Sequence, residues 1–369
     1  MMKMTDPVKT EHQAAEVLRM LLEQVPAIEH LDVRQQRADS GVDLIAHFDA
    51  YGHRHTLACE VKSSGQPRYT RQALLQLRNY VVHKDRHAIP VLIAPYLSTE
   101  AQTLCREYGV GFLDFEGNVR LVFEGIFVER HVASRPAAER RELRSLFKPK
   151  AAQVLRLMLR EPGRAWRVTE LGEVADVSLG HISNIRSGLL NREWAQLSDD
   201  GMFLSNPDAL LDAWRKAYEP PMGRRYTFYT TLHGASFDRV VRGITHTVAS
   251  RELFSKAVRR IPSGVIALAS FSAAQWLAPY GRTSTHYFYA DEEGFDRLHS
   301  ALKLSAVSKG ENVVVTVLDE PGVFHDSIEP APGVICTGYV QTYLDLSNAG
   351  ERGREAADHL RREKLQWPK

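Results

Sequence analysis

The sequence has few of the features that mark disulfide-bonded, secreted or membrane proteins. Its 369 residues include three cysteines, Cys59, Cys105 and Cys336, which lie far apart without the paired spacing of a disulfide framework or a zinc site. No apolar run reaches the roughly 18 residues that a membrane-spanning helix needs. The first residues, MMKMTDPVKTEHQ, have no apolar core of signal-peptide length. We therefore expect a protein of the reducing cytoplasm that does not associate with membranes.

An excess of charge of one sign is also absent. The 47 Lys and Arg residues nearly balance the 45 Asp and Glu residues, for a formal net charge of +2. Composition alone therefore neither indicates nor excludes nucleic-acid binding, which depends on where the charges lie. A chain of this length should form two or three domains, each with its own core.

Three regions with different patterns follow one another, and together they predict an α/β multidomain protein. Residues 1–135 begin with an amphipathic helix and then alternate strands with helices, which predicts a mixed sheet. The basic stretch SRPAAERRELRSLFKPK is typical of a linker. Residues 148–218 are helical and end in a hairpin that turns at Asp199-Asp200-Gly201. Residues 225–369 alternate again, with strands SGVIALAS, THYFYA and NVVVTVL and helices near 271–278, 292–304 and 338–348.

Two strands of the first region carry charged residues at one end. The strand HTLACEVK ends in Glu60 and Lys62, whose side chains share a face because they lie two residues apart. Asp43 starts the preceding strand, so antiparallel pairing would bring it beside Glu60 and Lys62. Carboxylate oxygens suit Mg²⁺ or Mn²⁺, and such an ion can supply hydroxide for phosphodiester hydrolysis. Lys62 would then position or activate the attacking water, or bind the scissile phosphate.

This arrangement resembles the signature of the PD-(D/E)XK nuclease superfamily, an Asp, a spacer and Glu-x-Lys on the next strand. In the following helix, Gln76 and Tyr80 of QLRNY resemble the Gln-x-x-x-Tyr extension of RecB-type nucleases and share a helix face. The superfamily often adds a glutamate from its first helix, for which helical phasing favours Glu11. The resemblance implies a restriction-endonuclease-like mixed sheet for this region. The catalytic residues that it implies are Asp43, Glu60, Lys62, Gln76, Tyr80 and Glu11, with Asp43 and Glu60 as metal ligands.

Two other interpretations of these residues remain open. Glu60 and Lys62 could form a surface ion pair at a strand end, with Gln76 and Tyr80 as polar groups of the core. Alternatively, the domain could have the nuclease fold and bind nucleic acid without cutting it, because a fold does not determine a function.

The second region contains a helix, a turn and a second helix, followed by the predicted hairpin. Leu171, Val174 and Ala175 are expected to face inward on the first helix, and Ser178 is a suitable N-cap for the second. The expected inward residues of the second helix are Ile182, Ile185, Leu189 and Leu190. The residues expected to contact DNA are Ser178, Gly180, His181, Ser183, Asn184, Arg186, Ser187 and Arg192.

That outward face suits a DNA major groove. Short side chains permit close approach, Asn can pair with adenine, and Arg can reach guanine or phosphate. The segment resembles the winged helix-turn-helix domains of bacterial regulators, with the hairpin 195–205 as the wing. The alternative is a winged helix that makes only protein contacts.

The third region gives a weaker signal. Its strand–helix–strand segment, with Ser270 and Ser272 at the first turn, is similar in topology to the start of nucleotidyltransferase domains. The glycine of their Gly-Ser turn is missing here, and Asp291-Glu292-Glu293 follows the strand instead of lying in it. We therefore expect no catalysis in this region. Asp291 and Glu292 are expected to begin a helix, whose dipole favours acidic residues there.

The chain as a whole resembles the AbiE type IV antitoxin group of transcriptional regulators. The stretches that carry this resemblance are GVDL, EVK, LDFEGNVRL, the helix-turn-helix and VQTYLDL. It implies a regulator that binds its own promoter and has a nucleotidyltransferase toxin as partner, and winged-helix regulators are usually homodimers. The typical antitoxin lacks an N-terminal nuclease-like domain, so this chain departs from the pattern.

Two functions from different classes therefore compete. The first is a DNA-binding regulator in which the winged helix supplies specificity and the nuclease-like domain adds DNA contacts. The second is a Mg²⁺-dependent DNA endonuclease that its winged helix directs to a target. A pure protein-interaction scaffold would leave both groups of residues unexplained.

Overall fold

The structure is a computed structural model that describes residues 7–37, 40–123, 125–133, 135–245, 261–281, 283–307 and 309–367. The chain divides into two compact units. The first extends to Glu142 and includes Leu189–Glu193, and the second comprises Leu143–Gly188 and Trp194–Lys369. Within the described residues, no helix combines the length and the apolar character required to span a bilayer. Cys59, Cys105 and Cys336 are all buried and unpaired.

The first unit contains a seven-stranded mixed sheet with its strands in chain order, β1-β2-β3-β4-β5-β6-β7. Strands β3, β4 and β5 are parallel, and the other neighbours are antiparallel. The elements are α1 (Pro7–Glu23), β1 (Ile28–Gln35), β2 (Leu44–Ala50), β3 (His53–Val61), α2 (Pro67–His83), β4 (Ile89–Ala94), α3 (Thr99–Glu107), β5 (Gly111–Asp114), β6 (Val119–Phe123), β7 (Ile126–Arg130) and the first part of α4 (Ala137–Leu146), a helix that crosses the unit boundary after Glu142. The predicted mixed sheet is therefore confirmed.

Alternation of side chains along the strands gives this sheet two apolar faces. Leu57 and Cys59 of β3 belong to the hydrophobic cluster that includes Leu18 of α1. Ala58, between them, belongs to the cluster that includes Leu77 of α2 and Leu104 of α3. Helices therefore cover both faces of the central strands, which explains why these strands are almost continuously apolar in sequence.

A two-residue turn sets the register between β2 and β3. Tyr51 and Gly52 both have positive φ, 51° and 80°, as a type I′ hairpin turn requires. The pairing that starts at this turn continues without a shift until Leu44 lies opposite Cys59. The predicted antiparallel pairing is confirmed, and Asp43 and Glu60 are the next residues on the two strands.

The boundary between the two units falls within the predicted linker, after Glu142, and the linker is largely helical. The stretch SRPAAERRELRSLFKPK contains the helix α4, and the next helix begins at Pro149. Ala, Glu, Arg and Leu are all good helix formers, and Pro136 and Pro149 lie outside α4.

The second unit begins with helices and a hairpin: α5 (Pro149–Arg160), α6 (Val168–Ala175), α7 (Leu179–Asn191), β8 (Ala195–Ser198), β9 (Gly201–Leu204) and α8 (Pro207–Lys216). Helix α6 ends at Ala175, and its C-cap Asp176 adopts the left-handed conformation common at helix C-termini. The hairpin turns at Asp199-Asp200-Gly201 as predicted. The last turn of α7 falls within the first unit.

The rest of the second unit is built around another seven-stranded mixed sheet, in the order β13-β10-β14-β12-β11-β16-β15. Its elements are β10 (Gly223–Tyr229), α9 (Ala235–Thr245), β11 (Ile266–Leu268), α10 (Ser270–Leu277), β12 (His286–Ala290), α11 (Glu292–Ala301), β13 (Ser305–Ala306), β14 (Val313–Leu318), β15 (Ile328–Ala331), β16 (Val334–Cys336), α12 (Tyr339–Ser347) and α13 (Gly350–Lys364). The three strands and three helices predicted here are all present. Asp291 is the N-cap of α11, and its side chain accepts a hydrogen bond from the Gly294 amide at 2.7 Å.

Candidate functional site

The charged residues predicted for the first unit meet at one end of β2 and β3. Asp43 immediately precedes β2, and its amide donates to the Cys59 carbonyl at 3.0 Å. One carboxylate oxygen of Asp43, Oδ2, accepts a 2.7 Å hydrogen bond from the Val61 amide. The backbone of β3 therefore orients the Asp43 carboxylate next to Glu60.

Lys62 connects Glu60 to helix α2. Its Nζ donates to Oε1 of Glu60 at 2.6 Å and to Oε1 of Gln76 at 2.7 Å. Only 4% of the Glu60 side chain and 16% of the Lys62 side chain are exposed, so this is not the ion pair of an open surface. Because an ammonium has three donors, these two bonds leave Lys62 one N–H for a further acceptor.

Tyr80 and Glu11 lie at the edge of this group. The ring of Tyr80 packs beside Gly41, with Cδ2 3.5 Å from the position that a Cβ of Gly41 would occupy. No hydrogen bond within the described residues joins the Tyr80 hydroxyl to the charged group. Glu11, on α1, is half-buried and close enough to Asp43 for the charge of Asp43 to raise its pKa, after the larger effect of burial.

Like charges crowd this group. Burial raises the pKa of Glu60, and the charges of Asp43 and Glu11 raise it further, whereas the hydrogen bond and the charge of Lys62 lower it. Three carboxyl groups therefore interact around one ammonium. A cation bound between them would relieve the repulsion.

The donor chemistry of this group fits Mg²⁺ or Mn²⁺. Within the described residues, no group of three His, Cys, Asp or Glu side chains is arranged to hold a metal ion. Asp43 and Glu60 each engage one carboxylate oxygen in the bonds above, and no described residue bonds to the other oxygen. Mg²⁺ commonly binds through one or two carboxylates and keeps several waters. The two free carboxylate oxygens of Asp43 and Glu60 therefore match the type and number of protein ligands that such an ion needs.

The second predicted group lies mainly on α7. Of the eight residues predicted to contact DNA, Ser178, Gly180, Ser183, Asn184 and Ser187 are exposed, and His181 and Arg186 are half-buried. Ile182, Ile185 and Leu189 are buried as expected. Val174, predicted to face inward on α6, is instead 46% exposed.

Arg192 does not lie on this exposed face. Its side chain is 5% exposed, and its Nη2 and Nη1 atoms pair with Glu139 and Glu142 of α4, each at 2.9 Å. Arg192, directly after α7, is therefore held in ion pairs by α4 and is not part of the exposed face predicted to contact DNA.

Two motifs singled out in the sequence have structural roles. In LDFEGNVRL, the buried Asp114 carboxylate accepts from the amides of Leu97 and Asn118 and from the Asn118 side chain, at 2.8–3.1 Å. In VQTYLDL, Asp345 accepts from Gln341 Nε2 at 2.8 Å and from the Tyr289 hydroxyl at 2.9 Å. Sequence patterns do not indicate the Tyr289 contact, because Tyr289 lies 56 residues before Asp345.

Residues 203–366 match a family model. Its description is "Transcriptional regulator, AbiEi antitoxin, Type IV TA system". The match begins within β9 and covers α8 and the elements from β10 to α13. Because it begins after α7, it includes neither group of predicted site residues.

Two further comparisons add little. No curated protein matches the chain. One solved structure, "Structure of EndoMS in apo form", is 17% identical over 28% of this chain and 45% of that chain, with a TM-score of 0.21. The chain thus spans less than half of that protein, and a likeness at this score supports no conclusion about fold or function.

Proposed function

We propose that this protein is a DNA-binding transcriptional regulator of the AbiEi antitoxin type, with α7 as the helix that contacts base edges. The family match at residues 203–366 supports the regulator role. The observation that carries the DNA contact is the exposed polar face of α7, where Ser183, Asn184 and Ser187 follow a turn after α6. In this proposal residues 148–218 form a winged helix-turn-helix, and residues 225–369 form a domain for regulation or partner binding.

The exposed polar face of α7, which is proposed to contact base edges, contains little positive charge. Its exposed residues are serine, glycine and asparagine, and the tip of the hairpin carries Asp199 and Asp200, both exposed. Specificity would therefore come from hydrogen bonds to base edges, whereas most non-specific affinity would come from Lys and Arg elsewhere. This division makes the two kinds of binding separable by mutation.

The test is a gel-shift titration on the DNA upstream of the gene and on an unrelated fragment. Asn184→Ala and His181→Ala should weaken specific binding about 10- to 100-fold, the range for one lost base contact, and leave non-specific binding nearly unchanged. Asn348→Ala, also at an exposed asparagine of the second unit, is the matched control and should change neither. Equal losses on both fragments would exclude base reading by α7.

The partners follow from the same proposal. A regulator of this type would bind DNA as a homodimer and would pair with a nucleotidyltransferase toxin. Light scattering of the purified protein, alone and with its DNA, tests the dimer. A monomer on DNA would remove that part of the proposal.

The group around Glu60 favours a second candidate, a Mg²⁺- or Mn²⁺-dependent DNA endonuclease within residues 1–135. The metal would supply an activated water and stabilise charge on the phosphate, with Asp43 and Glu60 as its ligands. Lys62 has an N–H left after its bonds to Glu60 and Gln76, and this donor would orient the water or the scissile phosphate. Gln76 and Tyr80 would orient the substrate strand, and Glu11 would add negative charge beside the metal.

Metal binding and cleavage can be measured separately. Millimolar Mg²⁺ or Mn²⁺ should raise the unfolding temperature of the first unit, since a ligand that binds only the native state stabilises it. Asp43→Asn should remove this effect, whereas Asp49→Asn, near the other end of β2, should not. If the enzyme function holds, the metal-loaded protein cleaves plasmid or single-stranded DNA, and Lys62→Ala abolishes cleavage. Metal binding without cleavage would indicate a nuclease-like domain that only binds DNA.

A further inference from the structure

A buried arginine in the second unit lacks a bonded anion. Arg156, on α5, is 5% exposed. Its Nη2 donates to Oε1 of Gln341 at 2.6 Å, and its Nε has no hydrogen-bond partner in the described part of the chain. A guanidinium has five donors, so most of the hydrogen-bonding capacity of Arg156 is unused.

The two acidic side chains whose charges act on Arg156 are bonded to other groups. Asp326 pairs with Arg160, and Asp345 accepts from Tyr218, Tyr289 and Gln341. Both carboxyl groups still act on Arg156 at longer range, but neither bonds to it. A buried charge without a bonded counter-charge destabilises a folded protein, and burial accordingly lowers the pKa of Arg156.

Arg156 lines a cavity of about 450 Å³, which is within the size range of small-molecule sites. Most of its wall is apolar. The rings of Phe147 and Trp214 stack with centroids 5.5 Å apart and planes inclined by 5°, and Pro149, Met222 and Val323 complete the apolar surface. The Arg156 guanidinium lies 5.6 Å from the centre of the Trp214 ring.

The remaining charges of the cavity lie on exposed residues. Arg144 and Lys148 contribute cations, and Arg144 is 3.9 Å from Glu219. Asp319 and Glu320 are exposed acidic residues. Water screens such exposed charges, whereas Arg156 acts in a buried environment where an ionic hydrogen bond is strong.

We propose that this cavity binds a small organic acid, a molecule with an aromatic or apolar body and one acidic group that pairs with Arg156. The apolar body packs against Phe147 and Trp214, and the acid supplies the bonded anion that no described residue provides to Arg156. This site is independent of both functions proposed above.

The test is calorimetric titration of the full-length protein with 2-naphthoate and with its neutral counterpart, 2-naphthamide. The acid should bind at least about tenfold more tightly than the amide. Arg156→Met should remove this preference, whereas Arg167→Met, at an exposed arginine of the same unit, should keep it. Equal affinity for acid and amide, or no binding of 2-naphthoate or decanoate at about 1 mM, would overturn the proposal.

A second pair of variants decides the question if Arg156→Met fails to fold. Met222 lines the cavity and is 71% exposed, so its replacement does not disturb a core. Met222→Glu places a negative charge beside the ligand and should weaken binding of 2-naphthoate relative to Met222→Gln. If both variants bind the acid equally, the acid does not occupy this cavity.

Discussion

Replacing Lys62 tests the electrostatic arrangement around Glu60 without reference to any activity. Lys62→Met removes the ammonium that donates to Glu60 and Gln76, and it leaves a nearly buried carboxylate beside Asp43. Breaking a buried ion pair costs about 3–5 kcal/mol. Since Lys62 is partly exposed and Glu60 can take up a proton, we expect a loss of about 3 kcal/mol in the free energy of unfolding at pH 8.

The loss should depend on pH in a defined direction. The pKa of Glu60 is already raised in the folded state, and removal of Lys62 raises it further. A carboxyl group with a raised folded-state pKa contributes stability below its unfolded pKa, near 4.5, and that contribution disappears as the pH rises through the folded value. The variant should therefore lose only about 1–2 kcal/mol at pH 5, where Glu60 is more fully protonated.

Urea unfolding at pH 5 and pH 8 measures both values. All five tryptophans, at positions 166, 194, 214, 276 and 367, lie in the second unit. Tryptophan fluorescence therefore reports unfolding of the second unit, whereas circular dichroism reports unfolding of both. A transition that circular dichroism detects and tryptophan fluorescence does not is the unfolding of the first unit. Lys84→Met, at an exposed lysine on the C-cap of α2, is the control. A loss below about 0.5 kcal/mol at pH 8, the level of an ordinary surface substitution, or an equal loss at both pH values, would refute the reasoning.

Three further predictions use other parts of the chain. Gly65→Ala should destabilise the first unit by about 3 kcal/mol or more, because the new Cβ would lie 2.0 Å from the Tyr96 carbonyl oxygen and 2.8 Å from Leu97 Cα. Gly163→Ala, with open space around it, should have little effect in the same urea assay. Burial raises the pKa of Asp345 from 3.8 to about 6. Between pH 4 and pH 7 the wild type should therefore lose about 2 kcal/mol of stability relative to Asp345→Asn, as measured by tryptophan fluorescence during urea unfolding. Parallel pH profiles of the two proteins would contradict this. Replacing both Asp199 and Asp200 by Asn removes two negative charges from the hairpin tip and should raise affinity for non-specific DNA about two- to fivefold at low salt. Asp296→Asn should not change this affinity. Unchanged gel shifts for the double variant would show that the hairpin tip does not approach DNA.

The group around Glu60 was predictable because its geometry is local. The Tyr51-Gly52 turn fixes the register of β2 against β3, and that register places Asp43 opposite Glu60. Alternation along β3 then puts Glu60 and Lys62 on the same face, towards the helix that carries Gln76. Each of these steps follows from residues that are close in sequence.

The features that could not be predicted from the sequence depend on contacts between residues far apart in the chain. Arg192 follows the polar pattern of α7, but its burial depends on Glu139 and Glu142, about 50 residues earlier in the chain. Arg156 and Gln341 lie 185 residues apart, and no periodicity in one sequence predicts such a pair. Helix α4 is different, because its composition already favoured a helix, although its basic character and the two prolines around it suggested a linker.

The two units share one physical property that connects these observations. In the first, Asp43 and Glu60 carry like charges beside a single ammonium; in the second, Arg156 is buried without a bonded anion. Apolar residues of similar volume at these positions would be at least as stable, so folding stability alone does not explain the charges. An excess of negative charge at Asp43 and Glu60 is expected if that group binds a cation, and an unpaired positive charge at Arg156 is expected if its cavity binds an anion. If apolar replacements at Arg156 raise stability and leave every binding measurement unchanged, this argument fails for the second unit while that for the first still stands.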